Sequence, residues 1–249
     1  MGLGTVEAFI RLVGAVANAD DLADAMSAIA ADLGFEYFAL AHHIDLTAAG
    51  ATAIRLHNYP PQWADYYEAN GLGVCDPVHR ASHKSSVGFR WSRIPSLVRL
   101  TPRDRQMLDR GRAEGIGDGF TVPTNVPGES FGSCSFANQE GRSVGEAMLP
   151  LAQLAGAFAF EAARRLWHVR EDERDAPLPT LTDRQRDCLL WAARGKSDWE
   201  IGRILGVSEE TVTRHMKLAR ERYGVEKRTL LAIRALFDGT LSFTDIFKR

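Results

Sequence analysis

The sequence predicts an α+β protein: an N-terminal α/β/α sandwich with a central antiparallel sheet, followed by a small all-α domain of four helices. Apolar residues at helical spacing begin the chain and return near residue 150, and β-rich runs lie between them. Strands grouped between helices indicate a sheet covered on both faces. Beyond residue 180, helix caps and stop signals recur at short intervals, which is typical of short packed helices.

The N-terminal elements follow from local patterns. A turn at Pro127-Gly128 between two β-rich runs predicts a hairpin. In chain order the predicted elements are helices over 6–16 and 20–33, strands over 36–44 and 53–58, the hairpin strands 119–126 and 130–138, and an amphipathic helix over 145–169.

Composition limits the class of protein. The chain has 249 residues, 45% hydrophobic and 25% charged, which is ordinary for soluble globular proteins and suits one to two domains. No stretch has the ~20 apolar residues of a membrane span, and the first residues do not resemble a secretion signal. We therefore expect a cytoplasmic protein without a membrane partner. The three cysteines lack the paired spacing of a zinc site or a disulfide framework.

Charge is distributed unevenly between the two parts of the chain. Residues 177–249 carry 14 basic and 10 acidic side chains, a net charge of +4, whereas residues 1–176 carry a net charge of −6. Because phosphate contacts need Lys and Arg, the C-terminal part is the better candidate for binding nucleic acid. Domains are predicted over 1–170 and 181–249, joined by a charged, proline-containing linker over 171–180.

Capping signals define the C-terminal helices. Thr182 with Gln185 and Ser197 with Glu200 form two capping boxes, in which each side chain satisfies a free backbone amide. Gly206 ends the second helix. Ser208 caps a third, over 209–223, after a turn of three or four residues, which is the spacing of a helix-turn-helix. A fourth helix is predicted over 228–237.

The third of these helices is expected to enter the DNA major groove with its outward residues near the start. Its predicted inner face holds Val212, His215, Leu218 and Ala219. Its predicted outer face holds Thr213, Arg214, Lys217 and Arg220, our candidate DNA-binding residues. The alternative is a small helical domain whose basic residues form only a solvated surface.

The order and spacing of residues in this segment resemble the LuxR-type helix-turn-helix. The matching residues are Leu181-Thr182, Gly195-Lys196-Ser197, Glu200-Ile201, Ile204-Leu205, Val207-Ser208, Thr211-Val212, His215, Val225 and Arg228. Gln185 departs from the Glu that is usual in the family, although Gln still completes a capping box. The resemblance implies that Thr213, Arg214 and Lys217 face the bases.

A second cluster lies in the N-terminal part, where Tyr59, Trp63, Tyr66, Tyr67 and Asp76 fall within 20 residues. The aromatic residues follow helical spacing, which predicts an aromatic wall with hydroxyl and indole donors and one acidic acceptor. Such a pocket suits a small, partly apolar, uncharged ligand with an amide or an ester. Alternatively, the aromatic residues are ordinary core and Asp76 caps a helix that begins at Pro77.

This cluster resembles the autoinducer-binding domain of LuxR-type quorum-sensing regulators, whose ligand is an N-acyl-homoserine lactone. Trp63, Tyr67, Asp76-Pro77, Trp91 and Gly119 carry the resemblance. It implies that Trp63 donates to the lactone carbonyl, Tyr59 donates to the amide carbonyl and Asp76 accepts the amide N–H. Tyr67 and Trp91 would pack around the ligand, and Ser135 would bond the acyl carbonyl or a bridging water.

The acyl tail is expected along the hairpin interior and the apolar faces of the first two helices. Several large side chains would either shorten the pocket, stack on an aryl acyl group or be ordinary core: Phe35, Tyr37, Leu40, Phe120, Phe131 and Phe136.

Catalysis is not expected. His42 and His43 are adjacent on a predicted strand and therefore point to opposite faces, and the remaining histidines lack metal-ligand spacing. A serine nucleophile elbow and a phosphate-binding glycine loop are also missing. We predict neither a catalytic residue nor a metal or cofactor.

Together these features predict a quorum-sensing transcription factor that binds double-stranded DNA as a homodimer at a near-palindromic site, with RNA polymerase a possible partner. The predicted dimer surfaces are two apolar helix faces: Leu149, Leu154, Phe158, Ala162 and Leu166 in one domain, and Ala232, Leu236 and Phe237 in the other. One alternative is a regulator that needs no ligand or responds to a plant or host compound. Another is a protein that titrates a second regulator by forming heterodimers.

Overall fold

The computed structural model describes residues 2–44, 53–127, 129–169 and 179–247. Contacts divide the chain into two compact units, Met1–Asn125 with Ser130–Glu173 and Val126–Glu129 with Arg174–Arg249. Most of the predicted linker over 171–180 lies outside the described residues, as does Gly128 of the predicted turn. The predicted domain boundaries therefore stay a prediction.

The N-terminal unit follows the predicted order of helices and strands. Its helices are α1 (Leu3–Ala15), α2 (Ala19–Leu33), α3 (Pro61–Ala69), α4 (Pro77–Ser82), α5 (Ile94–Leu97), α6 (Pro102–Ala113) and α7 (Leu149–Val169). Its strands are β1 (Tyr37–His42), β2 (Arg55–His57), β3 (Phe89–Arg90), β4 (Asp118–Thr124) and β5 (Gly132–Asn138). Short 3-10 turns cover Leu72–Val74, Trp91–Arg93 and Glu146–Met148.

The strands of the described residues form one antiparallel sheet in the order β2-β1-β5-β4-β3. Its two faces differ because successive side chains of a strand point to opposite sides. One face carries Phe38, Leu40, Val122, Cys134 and Phe136, which are fully buried in the main core against α1, α2 and α7. The other face lies under α3, α4 and α6, so the predicted α/β/α sandwich is confirmed.

Strand β3 had no counterpart in the sequence prediction, and α6 falls where only polar helical stretches without stated bounds were expected. The apolar pattern of α6 is weak, since Met107 is its only buried large apolar side chain. A capping box starts the helix: Thr101 accepts from the backbone of Asp104, and Asp104 accepts from the backbone of Thr101. Buried Asp104 also bonds to Arg80 of α4 at 2.6 Å, which ties the two helices together.

The C-terminal unit contains the four predicted helices, α8 (Asp183–Ala193), α9 (Asp198–Leu205), α10 (Glu209–Arg222) and α11 (Arg228–Phe237), and a short helix α12 (Phe243–Phe247). Both predicted capping boxes are confirmed, and Ser208 caps α10. Gly206 ends α9 in the left-handed region at φ 70°. A Cβ on Gly202 would lie 2.7 Å from the carbonyl oxygen of Val207, so glycine lets α9 approach the turn closely.

The predicted inner face of α10 is partly wrong. Val212, Met216 and Ala219 are buried, whereas Leu218 is 40% exposed. The buried positions are therefore spaced by four and three residues, and they place Met216 rather than Leu218 against the core.

No helix in the described part of the chain is long and apolar enough to cross a membrane.

Gly119 gives a test of how the sheet positions its neighbours. A Cβ at this position would lie 2.5 Å from Cε2 of Trp91 and 2.8 Å from the carbonyl oxygen of Phe136. Gly119→Ala should therefore lower the free energy of unfolding by about 1–3 kcal/mol, the usual cost of overpacking, as measured by urea unfolding. Gly145→Ala is the matched control, because a Cβ there meets nothing within 4 Å. Equal stability of the two variants would show that the Trp91 contact is not tight.

Candidate functional site

A cavity lies between the small-residue face of the sheet and the helices that cover it. All six residues predicted to bind a ligand line this one cavity: Tyr59, Trp63, Tyr67, Asp76, Trp91 and Ser135. They come from α3, the residue that caps α4, the 3-10 turn after β3, strand β5 and the segment before α3. The fold thus brings together side chains that are up to 76 positions apart in the sequence.

Asp76 is the buried acidic group of the cavity. Its Oδ1 accepts the backbone N–H of Val78 at 2.7 Å and so caps α4, and its Oδ2 accepts the Tyr67 hydroxyl at 2.8 Å. The capping role considered as an alternative is confirmed, and the same carboxylate also lines the cavity. Burial, followed by the charge and hydrogen bond of Asp76, raises the pKa of Tyr67 well above its usual value, so this hydroxyl remains a donor.

Tyr59 and Trp63 provide the other polar atoms of the aromatic wall. Trp63 is 6% exposed and packs beside Tyr66 and Tyr67, with ring centroids 6.1 and 5.7 Å away. Burial and then the nearby Asp76 raise the pKa of Tyr59, which keeps its hydroxyl protonated. Among the described residues, no hydrogen bond joins the Tyr59 hydroxyl or the Trp63 indole to another side chain.

Trp91 belongs to a chain of hydrogen bonds that crosses the sheet. Its indole Nε1 donates to Oγ1 of Thr121 at 2.9 Å, and Thr121 shares a 2.8 Å hydrogen bond with Ser135. The ring lies against Gly119, where a side chain would collide with it. Trp91 therefore offers the cavity an aromatic ring, while its N–H is already used within the protein.

The floor of the cavity consists of small side chains in register across the strands. Ala39, Ala41, Ser133 and Ser135 alternate with the large core residues of β1 and β5. The expectation that α1 and α2 line the acyl tail is wrong, because these helices pack on the opposite face of the sheet.

The large residues that were expected to shorten the pocket, stack on an aryl group or form the core do not all lie at the cavity. Phe35, Phe120 and Phe136 belong to the main core, and Phe131 is 50% exposed. Leu40 belongs to the core and also borders the cavity, and Tyr37 packs beside Tyr59 with ring centroids 6.1 Å apart.

A histidine cluster adjoins this floor and was missed by the sequence reasoning. His43 Nε2 lies 2.9 Å from Oγ of Ser133, and His43 Nδ1 lies 2.9 Å from Nε2 of His83. The ring of His43 stacks on His79 at 3.8 Å, and His79 lines the cavity. As expected, His42 points to the opposite face, where it packs against Phe160.

The cluster does not have the arrangement of a metal site, since no group of three or more His, Cys, Asp or Glu among the described residues could hold a metal ion. Burial, and then the neighbouring His79, lowers the pKa of His43 well below the usual value. Burial also lowers the pKa of His83. His43 and His83 are therefore uncharged at neutral pH.

The second candidate site is the outer surface of α10. Thr213, Arg214 and Lys217 are exposed, and Lys217 has 69% of its side chain accessible. Thr213 donates its hydroxyl to Asp198 of α9 at 2.9 Å, which joins the two helices of the helix-turn-helix. Arg220 is half-buried and donates to the carbonyl oxygen of Glu226 at 2.7 Å, so its guanidinium is engaged within the domain.

Comparisons with known proteins match both parts of the chain. Residues 18–163 match the family described as autoinducer binding domain, and residues 179–235 match that of bacterial regulatory proteins, luxR family. The transcriptional activator AhyR of Aeromonas hydrophila is 27% identical over 230 residues, which cover 91% of this chain and 88% of AhyR.

Two solved structures share the fold. SdiA of Escherichia coli has a TM-score of 0.64 at 23% identity and covers 98% of this chain and 99% of its own. CepR2 of Burkholderia cenocepacia, described as an N-acylhomoserine lactone dependent LuxR family transcription factor, has a TM-score of 0.53 at 16% identity. It covers 68% of this chain and 98% of its own.

Three histidines of the N-terminal unit predict a pH-dependent stability. Because the pKa values of His43, His57 and His83 are lowered in the folded state, the unfolded chain binds more protons below about pH 6.5. This contribution to the free energy of unfolding should therefore be fully present well above pH 6.5 and be lost as the pH falls from about 6.5 towards the lowered folded-state pKa values, as measured by urea unfolding between about pH 8 and 5. His43→Gln should make this fall smaller, because it removes the imidazole whose pKa burial lowers most clearly. A fall of the same size in His43→Gln would contradict the role of the cluster.

Proposed function

Because the chain belongs to the LuxR-type family of transcriptional regulators, with an autoinducer-binding domain and a DNA-binding helix-turn-helix, we propose that it is a quorum-sensing factor whose signal is an N-acyl-homoserine lactone. Its relatives are regulators rather than enzymes, and so is this chain. We further propose that residues 1–170 form the sensing domain and residues 181–249 the DNA-binding domain.

The observation that carries the ligand proposal is the convergence of the six predicted residues on one cavity around Asp76. Each oxygen of a carboxylate can accept more than one hydrogen bond. In Asp76 one oxygen bonds Val78 and the other bonds Tyr67, which leaves capacity to accept the amide N–H of the ligand. Burial strengthens this contact because water does not compete for it.

The remaining polar groups suit the carbonyl groups of the ligand. The Tyr59 hydroxyl would donate to the amide carbonyl and the Trp63 indole to the lactone carbonyl. Trp91, whose N–H is bonded to Thr121, would pack its ring against the lactone. Ser135 would use its remaining hydrogen-bonding capacity on the acyl carbonyl or on a bridging water.

For DNA binding, we propose that α10 enters the major groove. Thr213, Arg214 and Lys217 lie on its exposed surface and would contact the bases. Arg220 is a weaker candidate than its position in the sequence suggested, because its guanidinium bonds Glu226. We propose that Arg220 mainly stabilises the C-terminal end of α10 and that its contact with the DNA backbone contributes less to binding.

We propose that the active form is a homodimer that binds a near-palindromic site. On α7, Leu154 and Phe158 are 38% and 45% exposed, whereas Ala162 is buried and belongs to the core, so the candidate surface is narrower than predicted. On α11, Phe237 is 54% exposed and Ile233 is 57% exposed. We also propose that the protein contacts RNA polymerase and is located in the cytoplasm.

Asp76 provides the test of the ligand proposal. Asp76→Asn keeps the size and the helix-capping capacity of the side chain but removes the charge that would hold the amide N–H. Lactone affinity should fall by about 10- to 100-fold, the usual loss for a hydrogen bond to a charged group. Binding is measured by calorimetry with lactones of short, long, branched and aryl acyl chains.

The matched control for this variant is Asp104→Asn, which alters another buried capping carboxylate outside the cavity. It should keep the lactone affinity. If no lactone binds to the folded wild-type protein, the signal is a different compound or no ligand is needed. If Asp76→Asn binds as tightly as the wild type, the site assignment is wrong.

Lys217 provides the test of the DNA-binding surface. Lys217→Ala should leave lactone affinity unchanged and weaken DNA binding, with the slope of log affinity against log salt reduced by about 1. Arg184→Ala is the control, because Arg184 is exposed on α8 of the same domain. Binding is measured by fluorescence anisotropy on promoter DNA over a range of salt concentrations. Equal losses in both variants would mean that α10 is not the reading helix.

A further inference from the structure

We propose that the acyl chain of the ligand carries an uncharged oxygen-bearing group, a hydroxyl or a keto group, in its distal half. This inference rests on the proposed function. It comes from one end of the cavity, formed by Arg55, Ser133 and the adjoining His43, which we call the polar end. His79 lies nearer Asp76, with its Nε2 3.9 Å from Oδ2 of that carboxylate.

The strand register fixes the position of the polar end. Ala39 pairs with His57 and Ser135, and Ser135 pairs with Thr121, so these residues form one row across the cavity floor. Ser135 and Thr121 are bonded to each other and to Trp91, which places this row beside the residues assigned to the lactone.

The next row along the same face lies two residues away, or about 7 Å. In it Ala41 pairs with Arg55 on one side and with Ser133 on the other. An acyl chain that leaves the lactone-binding row along the floor therefore passes between Arg55 and Ser133. Small alanine side chains at positions 39 and 41 leave room for it.

The polar end is built from side chains that bond each other. Ser133 is 2% exposed, and its Oγ lies 2.9 Å from His43 Nε2. The Nδ1 of His43 lies in turn 2.9 Å from Nε2 of His83. A saturated chain would cover these groups without offering them a hydrogen bond, whereas a hydroxyl or keto oxygen could join the network.

The charges of the polar end favour an uncharged group over a carboxylate. Arg55 forms an ion pair with Glu68 of α3, so its charge is already balanced. Burial lowers the pKa of His43 and of His57, and both are neutral at pH 7. A carboxylate at this position would have no free cation to pair with and would lose its hydration.

Three lactones that differ only at the end of the acyl chain test the inference on the full-length wild-type protein. N-(8-hydroxyoctanoyl)-homoserine lactone should bind about tenfold more tightly than N-octanoyl-homoserine lactone, which is the usual gain from one hydrogen bond. N-(7-carboxyheptanoyl)-homoserine lactone should bind more weakly than the hydroxylated compound. Affinities are measured by calorimetry.

Other results of this series would overturn the inference. If the octanoyl compound binds as tightly as the hydroxylated one, the distal group makes no hydrogen bond at the polar end. If the carboxylated compound binds most tightly, Arg55 acts as a free cation. If none of the three lactones binds and the wider panel also fails, the proposed function itself is overturned, whereas binding of the octanoyl compound without a preference overturns this inference alone.

Ser133→Ala locates the effect within the cavity. This variant removes one buried hydroxyl with little change in volume, and the preference for the hydroxylated lactone should fall from about tenfold to about threefold or less. The control is Ser27→Ala, because Ser27 is exposed on α2 and bonds only the carbonyl oxygen of Ala23. A preference retained in Ser133→Ala would overturn the assignment. The wild-type series decides the ligand class even if the variant does not fold.

Discussion

The architecture of the sensing unit depends on the alternation of side chains in β1 and β5. On one face, large residues such as Phe38, Leu40 and Phe136 are fully buried against α1, α2 and α7 and form the main core. On the other face, alanine and serine occupy the alternate positions, and the helices above cannot close onto them completely. A cavity between the small-residue face and α3, α4 and α6 follows from this pattern.

Asp76 links the stability of the fold to the chemistry of this cavity. The same buried carboxylate begins α4 through Val78 and holds the hydroxyl of Tyr67 in the cavity wall. A group with two structural hydrogen bonds has a fixed orientation, which is what recognition of a small ligand requires. In the DNA-binding unit a carboxylate also links structure to the functional surface, because Asp198 at the start of α9 accepts a hydrogen bond from Thr213 on the surface of α10.

Local signals were sufficient to predict much of this structure. Capping boxes at Thr182 and Ser197 are encoded within four residues, and the aromatic cluster before Asp76 lies within 20 residues. Arg55, Ser133 and His43 were missed because the pairing of β1 with β2 and β5 brings them together, and His79 and His83 join His43 only through the packing of α4 on the sheet. The error at Leu218 has a different origin. The four residues of the predicted inner face of α10 were too few to determine which side of this helix faces the core.

A crystal structure of the protein in complex with an N-acyl-homoserine lactone would test the central claim most directly. Our account predicts that the amide nitrogen of the lactone lies within hydrogen-bond distance, about 2.7–3.2 Å, of a carboxylate oxygen of Asp76. The lactone ring would lie beside Trp91, and the acyl chain would run along the floor formed by β1 and β5. A ligand bound outside this cavity, or one whose amide does not contact Asp76, would contradict it.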